Sequence, residues 1–133
     1  MALQFETTLR NTQLDAIETA AGASAKLSIY TGAAPANCAA ADTGTKLITI
    51  TLPADWMGAA AAGAKALAGS WSGSATAGAA ATPGYFRIKD NTDTTTYLQG
   101  TCGIGSGDLS FNGSITSGQT ITISTFTLTA GGA

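Results

Sequence analysis

The chain has 133 residues, a formal net charge of −2 and only 11% charged residues; Ala, Thr and Gly supply 27, 22 and 17 positions, half the total. It contains no His, so the commonest general base and metal ligand at neutral pH is missing, and four Lys and two Arg, spread along the chain, make no basic patch for nucleic acid. A length near 130 fits one domain, residues 1–133, and this composition disfavours an enzyme and favours a structural or binding module.

The first residues, Met1-Ala2-Leu3-Gln4-Phe5-Glu6, lack the basic start and long apolar stretch of a secretory signal. Residues 6–21 predict a helix. Leu14, Ile17 and Ala21 fall on one face, with Leu9, Ala16 and Ala20 along the adjacent row. Thr7 or Thr8 can cap its start, Glu6 and Arg10 form a favourable i,i+4 pair, and Gly22 sits where a helix stops. The narrow apolar stripe must pack on something, either this chain's own sheet or a neighbouring subunit. An N-terminal arm and helix therefore occupy residues 1–22.

Beyond Gly22 the period changes from 3.6 to 2. Residues 26–31 alternate, with Leu27 and Ile29 inward. Residues 46–52 place Ile48, Ile50 and Leu52 on one face, and a weaker strand surrounds Trp71. Residues 85–89 put Phe86 and Ile88 inward and Arg87 and Lys89 toward water. Asp90-Asn91-Thr92-Asp93 is a turn, after which residues 95–102 return with Leu98 and Cys102 inward. Residues 108–111 and 114–116 flank Asn112-Gly113, a strong hairpin signal. Residues 119–129 form a long strand whose apolar residues change phase between Ile121/Ile123 and Phe126/Leu128. A bulge near Ser124-Thr125, or burial on both faces, would accommodate that change.

Seven or eight short strands at this spacing indicate a mainly β chain. The expected architecture over residues 23–133 is an antiparallel β-sandwich, jelly-roll-like. Two Ala/Gly-rich stretches, residues 33–44 and 58–81, read as long loops, and loops of that length are more often functional than idle. No segment is apolar enough to span a bilayer, since residues 58–67 are mostly Ala and Gly and contain Lys65. Cys38 and Cys102 make no disulfide framework. A bridge between them would stabilise by roughly 4 kcal/mol by loop-entropy arithmetic, but two reduced thiols in a cytoplasmically made protein is the simpler reading.

Several short motifs invite chemistry. Asp42-Thr43-Gly44-Thr45 matches the aspartic-protease signature, in which two carboxylates share a proton. The match covers four residues, follows Ala39-Ala40-Ala41 instead of an apolar strand, and reads more simply as a turn. Gly103-Ile104-Gly105-Ser106-Gly107 resembles a phosphate loop, but a strand and not a helix follows it. Asn112-Gly113-Ser114 is a formal sequon better read as the hairpin turn. Asp90, Asp93 and Asp108 could share a calcium ion, although their spacing fits no loop pattern; solvated turn carboxylates are the simpler account. No cofactor or metal ligand set is expected. Trp56, Met57 and Trp71 are interface anchors if exposed and core if buried.

Four stretches occur in an order that carries a resemblance: Leu27-Ser28-Ile29-Tyr30-Thr31-Gly32, Leu52-Pro53-Ala54-Asp55-Trp56-Met57, Gly84-Tyr85-Phe86-Arg87-Ile88 and Gly118-Gln119-Thr120-Ile121-Thr122-Ile123. With the helix, they resemble small virion structural proteins of tailed bacteriophages. The resemblance implies a β-rich subunit of the particle, most plausibly a head decoration (cement) protein on the outer capsid surface. Its partners would be the major capsid protein and its own copies, as a dimer or trimer, with no nucleic acid or membrane. It transfers no catalytic residues. Candidate assembly residues are Leu9, Leu14, Ile17, Trp56, Met57 and Trp71. A tail, neck or head-fibre protein is the nearest alternative. A carbohydrate-binding or adhesion module is the other, and it requires Tyr30, Tyr85, Tyr97 or Trp71 exposed in a platform.

Overall fold

A computed structural model describes residues 3–76 and 79–132. Helix α1 spans Thr7–Ala21. Its cap is Glu6, in extended conformation, whose carboxylate accepts the Leu9 N–H at 3.1 Å. A carboxylate reaches the free amides of a first turn as well as a hydroxyl does, and favours the positive end of the helix dipole. Thr7 and Thr8 lie inside the helix instead of capping it. The expected Glu6–Arg10 pair is not formed among the described residues: Arg10 is buried and donates to the Ala130 carbonyl at 3.0 Å. Gly22 ends the helix at φ +84°, its N–H returning to the Glu18 carbonyl.

Eleven strands follow among the described residues: β1 Lys26–Tyr30, β2 Lys46–Thr51, β3 Ala64–Ala66, β4 Trp71–Ser74, β5 Ala80–Ala81, β6 Tyr85–Lys89, β7 Thr96–Ile104, β8 Leu109–Phe111, β9 Ile115–Thr116, β10 Thr120–Ile123 and β11 Thr127–Thr129. The chain is mainly β with one N-terminal helix, as its periodicity implies. Five strands form a curled sheet in the order β2-β1-β6-β7-β8, and β10-β4, β11-β3 and β5-β9 pair as ribbons. Register places Leu27 and Ile29 between Ile50 and Ile48 on one side and Ile88 and Phe86 on the other. These β-branched and aromatic cross-strand pairs make one continuous apolar face. The pairing shifts between Ile29 and Tyr30, leaving Leu47 as an extra residue, and it too is buried.

That face is covered by an aromatic cluster. Trp56 and Trp71 lie 5.9 Å apart, Trp71 and Phe126 5.3 Å, and Phe86 meets Phe126 edge-on at 5.8 Å. Each indole N–H is satisfied: Trp56 donates to Gly22 O and Trp71 to Trp56 O, both at 3.0 Å. Four large rings bury enough area to offset the shortage of large aliphatic side chains.

Three expectations are corrected by the strand pairing. Residues 58–81 are not one long loop: besides β4, the strand expected around Trp71, β3 and β5 lie within them (Ala77 and Gly78 fall outside the described residues). Packing is tight at β4: a Cβ on Gly73 would stand 3.2 Å from the Ile50 side chain and 3.4 Å from the Thr49 carbonyl oxygen. Asn112-Gly113 does not close a hairpin. Instead β8 runs parallel to β7, setting Leu109 beside Cys102, and β9 pairs with β5, so that Leu109 and Ile115 both reach the core. Finally, residues 119–129 are two strands. The change of phase is a change of partner, from β4 to β3, with Phe126 entering the core at the break.

Trp71→Ala is expected to cost about 4 kcal/mol, as removal of a buried aromatic side chain does, measured by urea unfolding. A loss below about 1 kcal/mol would mean that the aromatic cluster does not hold the layers together.

Candidate functional site

The densest polar constellation lies on the sheet face opposite the aromatic core. Alternation along β1 and β6 sends Tyr30, Tyr85, Arg87 and Lys89 to that side. In a sheet covered on one face only, they would meet water. Here residues 31–45 fold back over them. Tyr30 and Tyr85 stack at 4.8 Å with planes 9° apart. Tyr85 Oη donates to the Thr43 carbonyl at 2.7 Å and accepts the Thr43 N–H at 2.9 Å. Tyr30 Oη donates to Asp42 Oδ2 at 2.9 Å. The backbone crosses closely beneath: a Cβ on Gly84 would lie 2.0 Å from the Gly32 carbonyl oxygen, and Gly44, at φ +71°, would place one 2.2 Å from that of Thr31. No larger residue fits at either position.

Asp42 is the centre of this layer. Its two oxygens receive Arg87 Nη1 at 2.8 Å and Lys89 Nζ at 2.6 Å. Both cations are almost wholly buried, with side chains 2% and 7% exposed. Arg87 also donates to the Gln99 side chain and to the Ala40 and Asn37 carbonyls, and Gln99 donates to Pro35 O. Burial alone would raise the Asp42 carboxyl; hydrogen bonds from Lys89 and Tyr30 and the nearby positive charges outweigh it and hold the group below its usual range. Burial, then the neighbouring Asp42 carboxylate, pushes the Tyr30 hydroxyl up. Asp42 is already bound to two cations and a phenol, and among the described residues no second carboxylate is its partner. The Asp42–Thr45 motif is therefore a clasp in the extended connection that enters β2, with a bend at Gly44.

A second polar seam joins α1 to the 57–65 segment. Lys65, 3% exposed, reaches Asp15 at 2.7 Å and Glu18 at 3.1 Å. Glu18 accepts the Met57 N–H, Asp15 that of Ala60, and Asn11 that of Gly63. The helix thus packs on its own chain through polar contacts as well as through Leu14 and Ala21.

The structure divides the sequence-selected residues. Trp56, Met57, Trp71 and Leu14 are core, and as such offer no docking surface; Ile17 is half-buried against that core, and Leu9 stands 48% exposed. Exposed with it are Leu3 and Phe5, so the apolar surface near the N-terminus is the arm and first helical turn. Arg87 and Lys89, expected in water, are buried. Tyr30, Tyr85 and Trp71 are buried too, which leaves Tyr97 as the exposed ring among the four that a sugar platform would need. Asp90, Asp93 and Asp108 are apart in role: Asp90 closes its turn on Thr94 and Thr92, Asp93 pairs with Lys46, and Asp108 receives the Thr101 N–H. The Thr94 N–H, foremost among these contacts, draws the Asp90 carboxyl down to about 2. Among the described residues no three His, Cys, Asp or Glu side chains gather to hold a metal. Gly105 and Gly107 form a left-handed turn that leads into β8, not into a helix. Cys38 and Cys102 are free thiols, and burial, then Asp108, pushes Cys102 up to about 12. No described helix is long and apolar enough to cross a membrane.

Comparison with protein-family models, curated proteins and solved structures finds no match to this chain. The Arg87–Asp42 clasp escaped sequence reasoning, although one signal pointed to it. Two tyrosines and two long cations alternate on the outer face of β1 and β6, with an Asp inside the adjoining connection.

Asp42→Asn is expected to destabilise the chain by about 2–3 kcal/mol at pH 7, since it leaves two buried cations without a carboxylate; urea unfolding measures it. The sign with pH follows from the lowered carboxyl. Its contribution is complete above the ordinary value of 3.8 and is lost as pH falls through the lower folded value. Wild-type stability should fall on acidification below about pH 4, and Asp42→Asn should show a shallower fall. Equal slopes for the two proteins would assign the acid sensitivity elsewhere.

Proposed function

We propose that this chain is a non-enzymatic structural subunit of a tailed-phage virion. In this reading it is a decoration protein on the outer surface of the head, where it binds major capsid subunits and its own copies. The ordered likeness of its four sequence stretches and helix to such proteins suggests the class. In the same reading the five-stranded sheet and the ribbons over its aromatic core are the two leaves of a sandwich.

One observation carries the proposal. The Lys and Arg side chains are spent inside the chain, whereas Leu3, Phe5 and Leu9 stand exposed close together in sequence, with Tyr97 and Ile104 exposed elsewhere. Each of the six Lys and Arg side chains is held by another group of the chain: Arg10 by Ala130, Lys26 by Thr51, Lys46 by Asp93, Lys65 by Asp15, Arg87 and Lys89 by Asp42. Leu3, Phe5 and Leu9 are 77%, 37% and 48% exposed within seven residues of sequence. Such a cluster gains on burial about 25 cal/mol per Å² of apolar surface, which favours assembly over solution. Closed symmetry among copies then follows the usual rule for homo-oligomers.

The test is stoichiometry and position. Quantitative mass spectrometry of purified particles should find the chain in hundreds of copies per virion, and electron microscopy should place it on the head. A few copies at a neck, tail or fibre would replace decoration with the alternative virion role. Its complete loss from purified particles would end the virion reading.

A further inference from the structure

The curled sheet is open along one side. β8 is the last strand of the five-stranded sheet, and β10 is the outer strand of its pair with β4. A cleft runs between them, about 620 Å³ at the end where Asn112 stands by Gln119 and about 370 Å³ at the end where Asp108 stands by Ser124. Ser110 and Thr122 line both parts. Among the described residues no main-chain hydrogen bond joins the two strands.

Main-chain polarity shows what this cleft would accept. Successive residues of a strand turn their N–H and C=O groups to opposite edges. The Phe111 carbonyl accepts the Gly105 N–H at 3.0 Å, on the β7 side, so the N–H and C=O of Ser110 face the cleft. The Gln119 carbonyl accepts the Ala75 N–H at 2.8 Å, on the β4 side. Counting by twos, Ile121 and Ile123 also bond toward β4, and the groups of Thr120 and Thr122 face the cleft. Two strand edges with unspent donors and acceptors thus look at each other across a gap, which is the template for an added strand. Asp108 is the one charged residue on the lining, and its carboxylate is already bonded to Thr101. The occupant is therefore an uncharged extended segment.

The chain carries such a segment. Leu3-Gln4-Phe5 precedes the helix, bears no charge and exposes two large apolar side chains two residues apart, hence on one face when extended. In its own molecule it is tied elsewhere: Phe5 N–H donates to Gly132 O at 2.7 Å, and none of its residues lines the cleft. We propose that the β8–β10 seam receives the Leu3–Phe5 arm of a second copy as an added strand. The exchange gives up the Phe5–Gly132 bond for edge bonds to Ser110 and Thr122, and sets Leu3 and Phe5 beside Phe111 and Ile121. Such a contact is head-to-tail, so it closes into a ring or propagates. It rests on the assembly reading only in naming a second copy as donor.

Sedimentation of the full chain with three variants tests it. Leu3→Asp changes an exposed arm residue, Ser110→Pro removes the seam N–H at an edge position that tolerates proline, and Leu9→Asp changes the helix turn outside the seam. The expected result is self-association of the wild type, weakened about tenfold or more by Leu3→Asp and Ser110→Pro but not by Leu9→Asp, with near-UV circular dichroism unchanged. A second measurement covers a misfolded proline variant. In a Cys38→Ser background, a Gln4→Cys chain mixed with a Thr122→Cys chain should form disulfide-linked heterodimers, because both residues lie on the face of the added strand opposite Leu3 and Phe5. Wild-type-like association of both seam variants, without cross-linking, overturns the strand insertion. If Leu9→Asp alone then abolishes association, assembly through the helix end still stands; if the wild type associates neither with itself nor with particles, the assembly reading falls as well.

Discussion

The second layer of this protein depends on the carboxylate of Asp42. Arg87 and Lys89 stand on the middle strand of the five-stranded sheet with side chains almost entirely out of water. Removing such ions from water costs several kcal/mol each unless a counter-charge and hydrogen bonds replace the lost solvation. Asp42 supplies the charge, and Gln99 with the Ala40 and Asn37 carbonyls supplies much of the rest. The consequence is architectural. A connection rich in Ala, which has little apolar area to offer, is held flat on the sheet by polar contacts instead. Covering both faces this way lets a chain with few large side chains bury a central strand, β6, along its whole length.

The same economy recurs at the helix. α1 is too sparsely apolar to dock by hydrophobic contact alone, and Lys65 joins Asp15 and Glu18 beneath it. Acids on the helix accept main-chain N–H groups of an Ala/Gly segment that has no side chains to contribute. Most of the few charged residues sit at structural junctions of this kind. Polar groups thus turn inward at junctions, while Leu3, Phe5 and Leu9 stand outward at the arm and first helical turn.

Much of this was legible in the sequence, for reasons that can be traced. The helix, β1, β2 and β6 were set by strong periodicity, which survives into the structure because each strand turns one regular apolar face to the aromatic core. Gly22 was legible as a stop because φ +84° suits glycine. β3 was not, and β4 showed only as a weak strand around Trp71: Ala, Gly and Ser carry little strand signal, and the pairing comes from distant partners in β11 and β10. The Asn112-Gly113 turn shows local propensity overruled, since pairing β8 with β7 and β9 with β5 buries Leu109 and Ile115 in the core. The water-facing reading of Arg87 and Lys89 was wrong for a related reason. Alternation tells which side of a sheet a residue occupies, but not whether a later or earlier segment covers that side. At the candidate site, helical spacing set Leu9 beside Leu14 on the apolar stripe without telling that the first stays exposed and the second is buried, and Trp56, Met57 and Trp71 could be assigned to core only once the layers were assembled.

Amide hydrogen exchange over residues 37–45 tests the central claim most directly, that Asp42 turns a long connection into a fixed layer. The Thr43 N–H is bonded to Tyr85 Oη and the Thr45 N–H to Thr31 Oγ1. Both should exchange at rates near those of the β1 and β6 amides in the wild type, and lose that protection selectively in Asp42→Asn. Rapid exchange at Thr43 and Thr45 in the wild type, alongside a protected sheet, would contradict the account.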